Sequence, residues 1–415
     1  MGIRDRMHYL GGRVLEELLD LDAGYCGVRI KCGMNHEAEF VEYRTKEVVT
    51  VLSPVQLRRA YYHCRQCEKG IIPKDQALDV VETAFSPGVR RMMAQVGGKE
   101  AFEEGRKDLD TLAGIEVSTK AVERISESLG QQVETMNEKE RLSLISGKVL
   151  SFESPAKLYI CIDATGVPVV ARETEGRHSK EQGVTAKTRE AKLGCVFTQT
   201  MLDSRERPVR DEASTTYVGG IETAEEFGWR IYAEAIRRGL NRSLKVIVIG
   251  DGAHWIWNIA DLHFPGAIQI VDLYHAREYL SLLGNLLYGI KTSKSKVWVQ
   301  DRYEQLDEGN IKSLITSLRR LRSKDHNSIE QVRKTIGYFL TNSDRMQYQD
   351  FRKQGLFVGS GVIEAGCKTI IGHRFKQSGM QWTVRGANSI IALRCCQQSS
   401  RWAEFWEIRS TSTHI

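Results

Sequence analysis

Two apolar runs that each close on an aspartate constrain this chain more than any other feature. Leu158-Tyr159-Ile160-Cys161-Ile162 leads into Asp163, and Lys245-Val246-Ile247-Val248-Ile249-Gly250 leads into Asp251. Such runs, alternating with helical stretches over residues 151–275, predict α/β architecture around a buried sheet. A third carboxylate, Glu364, lies in Gly359-Ser360-Gly361-Val362-Ile363-Glu364-Ala365, where glycines lead into an expected helix. Two strand-end aspartates and one helical glutamate can bring three hard oxygen ligands together. Mg²⁺ prefers such ligands, and two metals about 4 Å apart can clamp the attacking and leaving oxygens of a phosphodiester. Any α/β protein also places Asp at turns after strands, so one such residue alone says little.

With 415 residues the chain has room for two or three domains and a large core. No apolar stretch approaches the ~20 residues of a membrane span. The start, Met1-Gly2-Ile3-Arg4-Asp5-Arg6, lacks a secretory apolar segment, so a cytoplasmic protein is expected. Nine cysteines, an odd number, then predict thiols or metal ligands rather than a disulfide frame. The net charge of +6 matters less than its distribution. Between Glu364 and Glu404 stand Lys368, Arg374, Lys376, Arg385, Arg394 and Arg401, with no Asp or Glu. A one-signed stretch beside a phosphodiester site suggests a polyanionic partner, although a solvated basic helix face has the same pattern.

Periodicity divides the chain further. Residues 1–25 predict an amphipathic helix, with Leu10, Val14, Leu15, Leu18 and Leu19 at helical spacing. Residues 26–80 alternate like short strands, Phe40–Tyr43 and Val48–Leu52 flanking a turn expected near Thr45-Lys46. Residues 81–150 are helical. A further helical region, 276–355, carries the stripes Ile311, Leu314, Ile315, Leu318, Leu321 and Ile329, Val332, Ile336, Phe339. Helix is expected again over 356–415.

The second chemical signal is metal-ligand spacing. Cys64-Arg65-Gln66-Cys67 is a Cys-x₂-Cys knuckle, and Cys32 with His36 forms a Cys-x₃-His pair upstream. Two such pairs around a β-rich span fit a zinc ribbon, in which one structural Zn²⁺ replaces a core too small to hold itself. Cys26 and His63 compete for the fourth position, and His36 is favoured because Cys26 would leave a looser loop. Cys161, Cys195, Cys367, Cys395 and Cys396 sit in apolar or helical runs and are expected in the core. Between ribbon and carboxylates, Leu109 to Ile125 has helix-turn-helix spacing. Gly114 would break the first helix, Ser118 would cap the second, and Val122 and Ile125 would face the core. Thr119, Lys120 and Glu123 would then be free to enter a DNA groove, although a plain helical hairpin fits as well.

These residues carry a resemblance. The chain resembles DDE transposases of bacterial insertion sequences, the Kra-type family within the Mutator-like group. The matching strings are Tyr61-Tyr62-His63-Cys64-Arg65-Gln66-Cys67, Ile162-Asp163-Ala164-Thr165-Gly166-Val167-Pro168 and Thr185–Gly194. They continue with Gly250-Asp251-Gly252-Ala253-His254-Trp255-Ile256-Trp257-Asn258, Ser360–Ala365 and Ser378-Gly379-Met380-Gln381-Trp382. The first aspartate motif reads Asp-Ala-Thr-Gly where Asp-Gly-Thr-Gly is the commoner form. The resemblance implies an RNase H-like catalytic core with Asp163 on its first strand, Asp251 after its fourth and Glu364 on its last helix. It implies a helical insertion before Glu364, and a nucleoid-associated bacterial protein. Asp272 and His275, an Asp-x₂-His pair, would organise the site.

The expected activity is cleavage and joining of double-stranded DNA with two Mg²⁺ (or Mn²⁺) held by Asp163, Asp251 and Glu364. Arg189, Lys192, Lys368, Arg374 and Lys376 would hold phosphates, Trp382 would contact a base, and Lys120 and Arg385 would add to the DNA surface. Joining two ends implies a homodimer or larger assembly on DNA. A catalytically silent, domesticated DNA-binding regulator is the main alternative, and a carboxylate-pair nuclease or glycosidase a weaker one.

Overall fold

The computed structural model describes residues 2–33, 36–148, 153–178, 185–323 and 325–412. The chain forms two compact units, Met1–Val133 with Arg401–Ile415, and Glu134–Ser400.

The first unit begins with α1 (Ile3–Asp20) and a four-stranded antiparallel sheet in the order β1-β2-β3-β4. Its strands are β1 (Arg29–Lys31), β2 (Glu37–Val49), β3 (Pro54–Cys64) and β4 (Lys69–Ile71). The turn expected near Thr45-Lys46 is not there: Thr45 pairs with Arg58 and Lys46 with Leu57 inside a continuous hairpin. The chain reverses instead at Thr50–Ser53. There the Thr50 hydroxyl accepts the amides of Leu52 and Ser53 and donates to the Ser53 carbonyl, a local closure that outcompetes strand continuation. β4 pairs only with Tyr62–Cys64, so the first half of β3 would be an open edge. α1 covers it. Glu16 accepts the Gln56 amide and Asp20 the Arg58 amide, while Leu15 and Leu19 pack on Val48, Val55, Leu57 and Val80. Gly12 permits this approach, since a Cβ there would lie 1.8 Å from Ser53 Oγ. Four helices follow: α2 (Pro73–Ala77), α3 (Pro87–Lys99), α4 (Phe102–Asp108) and α5 (Thr119–Ile145). Val89, Met93, Leu109, Ile115 and Val122 form the core of this helical part.

The second unit is built on a five-stranded sheet with the order β11-β10-β5-β6-β9. β5 (Lys157–Pro168), β6 (Thr188–Gln199) and β9 (Thr216–Gly220) are antiparallel neighbours. A small hairpin, β7 (Met201–Leu202) and β8 (Pro208–Val209), lies between β6 and β9 in sequence. α6 (Ala224–Arg237) crosses to β10 (Lys245–Gly250), which joins the other side of β5 in parallel. α7 (His254–His263) leads to β11 (Ile268–Val271), parallel to β10. Leu158–Ile162 and Ile247–Ile249 are buried throughout, as continuous apolar runs in a two-sided sheet must be.

Helices then accumulate: α8 (Leu273–Tyr288), α9 (Ser293–Asp307), α10 (Ile311–Arg319), α11 (His326–Thr341) and α12 (Tyr348–Lys353). Ile311, Leu314, Ile315 and Leu318 are buried on α10. On α11 the buried line is Ser328, Thr335 and Phe339, and Ile329 faces solvent. The chain returns to the sheet as α13 (Gly361–Gly366), a wide π-helical turn (Cys367–Gly372), α14 (His373–Phe375) and α15 (Val384–Gln398). α16 (Trp402–Ser412) rejoins the first unit, where Arg409 pairs with Asp79 at 2.8 Å. No described helix is long and apolar enough to cross a membrane.

Candidate active site and metal centre

Three strands that run in one direction place aspartates at the same edge of the sheet. Asp163 does not end its strand, as the apolar run suggested. Parallel pairing with β10 stops at Cys161↔Ile249, whereas pairing with β6 continues to Pro168↔Thr188. Asp163 therefore stands on the part of β5 that extends beyond its parallel neighbour. Burial pushes its carboxyl above the usual range; the Ala164 amide and the Cys367 thiol, both donating to it, oppose this, and the charge of Asp251 adds to it.

Asp251 directly follows β10. Its Oδ1 accepts the Ala253 amide at 2.8 Å and its carbonyl accepts the Tyr338 hydroxyl at 3.0 Å. The turn needs Gly252, which has φ +98° and faces the Tyr338 ring, 2.7 Å from where a Cβ would stand. Asp272 follows β11, is buried, and caps α8 by accepting the Tyr274 amide. It also accepts the Ser360 hydroxyl, which ties the end of β11 to the start of α13. Glu364 lies on that helix, its carboxyl raised first by burial and then by the charges of Asp272 and Asp163, with Lys368 4.0 Å away. His275, on the first turn of α8, has Nδ1 3.4 Å from Glu278. Its ring meets the edges of Tyr279 and Tyr338, which stack on each other at 4.0 Å.

The carboxylates thus feel one another's charge without forming a closed cage. Among the described residues, the group of metal-type donors lying within 4.8 Å of one another is a different one, Cys32, His36, Cys64 and Cys67. Tyr338 and Cys367, both against the aspartates, carried no signal in the sequence. Ser360 was visible only as part of the Glu364 string.

The basic residues divide sharply. A cavity of about 910 Å³ runs beside the outer halves of β5 and β6, lined by Thr165, Arg177, Lys187, Arg189 and Lys192 among others. Exposed Lys376 donates to Thr165 Oγ1 at 2.5 Å. Arg189 donates to the Glu173 carbonyl, and Lys192 is buried and donates to the Glu222 carbonyl at 2.9 Å. Lys368 and Arg385 are exposed. Arg374, expected on a phosphate, is instead a fully buried side chain with its guanidinium 4.7 Å from the Trp382 ring centre. Trp382, expected against a base, is buried too. Its ring packs on Phe375 and its backbone bonds to Pro168 and Val170, closing the end of β5. The sequence could not distinguish these from surface residues because a buried Arg on Trp has the same composition as an exposed pair. Trp257 is buried and donates to Asn342.

In the first unit, Gly114 takes φ +67° after a π-helical turn, Ser118 accepts the Ala121 amide, and α5 starts at Thr119. Lys120 is exposed there and pairs with Glu123 at 2.7 Å. The Cys/His group lies on the small sheet, with Cys32 and Cys64 buried and the sulfurs of Cys32 and Cys67 3.5 Å apart. Cys26 is exposed and outside it. The Cys64 thiol is pulled down to about 6, mainly by hydrogen bonding from Cys67. The buried Nδ1 of His36 has no hydrogen-bond partner among the described residues. The Cys67 thiol, hydrogen-bonded to Cys64, is pushed up to about 12. Three sulfurs and an imidazole gathered within 4.8 Å of one another suit a tetrahedral cation, so the group can bind zinc.

Residues 34–404 match the model of a family described as an uncharacterised protein family, UPF0236. A search of curated proteins gives no match. One similar solved structure is the Drosophila P element transposase strand transfer complex, at 9% identity, covering 77% of this chain and 80% of that one. The TM-score is 0.24.

Proposed function

The chain belongs to the UPF0236 family, and we propose that it cuts and joins DNA strands as a DDE-type transposase with an RNase H-like core. The observation that carries this is the sheet with its acidic edge. Three antiparallel strands (β5, β6, β9) with two parallel ones added on the other side of β5 (β10, β11) are the order we would expect of such a core. Asp163 lies on the first of these strands in chain order, Asp251 directly follows the fourth, and Glu364 stands on a helix more than a hundred residues later. The Kra-type resemblance stands within this reading on the motif strings alone.

Asp163, Asp251 and Glu364 would hold divalent metal. The donor set fits: all are hard oxygens, and the raised carboxyls of Asp163 and Glu364 reflect burial and crowded negative charge that a cation would relieve. When bound, such ions lower the pKa of water and neutralise charge on the transferring phosphoryl group. Asp272, fixed by the Tyr274 amide and the Ser360 hydroxyl, holds α13 and hence Glu364 in position. Lys376 and the Arg189 edge of the adjoining cavity would orient the DNA phosphates. In the first step water oxygen bonds to phosphorus as the bond to the 3′ oxygen breaks, freeing a 3′-OH. In the second, that oxygen bonds to a target phosphorus as the target's own P–O3′ bond breaks.

The test uses DNA flanking the gene as substrate, with Mg²⁺ or Mn²⁺. Asp163→Asn, Asp251→Asn and Glu364→Gln should each abolish cleavage and joining while DNA binding persists. Near-normal cleavage in Glu364→Gln would put the third ligand elsewhere. Binding without cleavage by the unaltered protein would leave a silent regulator, and full activity in EDTA would sink the mechanism.

A further inference from the structure

The outward face of α1 is the least accounted-for surface of the molecule. Its inward face is committed to β3 through Leu15, Leu19, Glu16 and Asp20. Opposite lie Ile3, Met7, Leu10, Val14, Leu18 and Leu21, each more than half exposed. At about 100° per residue these six fall in an arc of roughly 80°, a straight seam rather than scattered apolar residues. Surfaces this apolar on a water-soluble helix mark an interaction site.

The charges beside the seam identify the occupant. Arg6, Arg13 and Glu17 border the seam on one flank and Arg4 and Asp22 on the other, while Asp5, Glu16 and Asp20 lie away from it. Helical spacing puts Arg6 and Glu17 on the same flank of the seam. In an antiparallel helix pair, equivalent flanks face each other. We propose that α1 pairs antiparallel with α1 of a second copy of this chain. Leu10 then lies opposite Val14 of the partner subunit, Ile3 opposite Leu21 of the partner subunit, and Arg6 opposite Glu17 of the partner subunit. A parallel pair would gain no such ion pairs. Arg13 approaches the two-fold axis, and its charge is already met by Glu16 at 2.9 Å in its own helix. The contact is isologous and therefore closes at two chains. At 1.5 Å per residue α1 is ~27 Å long, so the contact is one pair of helices about five turns long.

This pairing is independent of the catalytic reading, and its test contains no DNA. Light scattering of the full chain over about 1–100 μM should show the mass rise from one chain towards two. Met7→Glu with Val14→Glu, both on the exposed face, should hold the mass at one chain with circular dichroism and melting unchanged. Arg6→Glu and Glu17→Arg should each weaken association about tenfold, and the two together should restore it. A single-chain mass at all concentrations, a dimer that survives the Met7/Val14 change, or a failed restoration overturns the proposal.

Discussion

Asp163 is held where its charge is unfavourable, and this sets a sign that can be measured. Its folded-state carboxyl is raised by burial, so the unfolded chain loses the proton first and stability falls as pH rises through that interval. Asp163→Asn should therefore melt above the unaltered protein at neutral pH, with the gap closing as pH drops below the usual carboxylate range. Mg²⁺ should raise the melting point of the unaltered protein more than that of the variant. A variant that melts lower at neutral pH would mean the charge is satisfied by the protein alone. Arg374 presents the opposite case. It was legible as a basic residue in an acid-free stretch, but its burial against Trp382 comes from a tertiary contact that no local spacing encodes. Arg374→Ala should cost about 2–4 kcal/mol in urea unfolding, because it empties a core position and removes a cation–π contact.

The ligand-bearing end of the β1–β4 sheet has a small core of its own, Ala38, Ala60 and Tyr62 beside Cys32 and Cys64, apart from the Val48, Val55 and Leu57 cluster under α1. An element so thin depends on its ligands. The purified protein should contain about one zinc per chain, by metal analysis, as a single four-ligand site requires. Cys64→Ser or His36→Ala should release it and loosen amide-exchange protection in β1–β4, while Cys26→Ser should do neither. Zinc loss with Cys26→Ser would move the fourth ligand. The ligand pairs were legible because metal spacing is a local property. The hairpin turn was not, since the apolar run Val48–Leu52 hides a chain reversal fixed by one hydroxyl, that of Thr50. Alternation likewise could not show that β5 outruns β10, because strand length beyond a neighbour depends on the neighbour.

For the whole molecule, DNA affinity should fall steeply with salt, since each neutralised phosphate releases counterions. Lys376→Ala and Arg385→Ala should each flatten the log–log slope by about one unit, as single phosphate contacts do. An unchanged slope removes both from the interface. The order of elements was readable from alternating runs, whereas the sheet order and the return of α16 depend on pairings between distant residues. That return has a consequence in time. The first unit includes Arg401–Ile415, so in sequence the second unit is inserted within the first. At about 5–20 residues per second, a ribosome spends on the order of 15–50 s on the intervening stretch. During that interval the N-terminal portion waits without α16, and a message cut short before codon 401 yields a protein in which neither the Asp79–Arg409 clasp nor its helix can form.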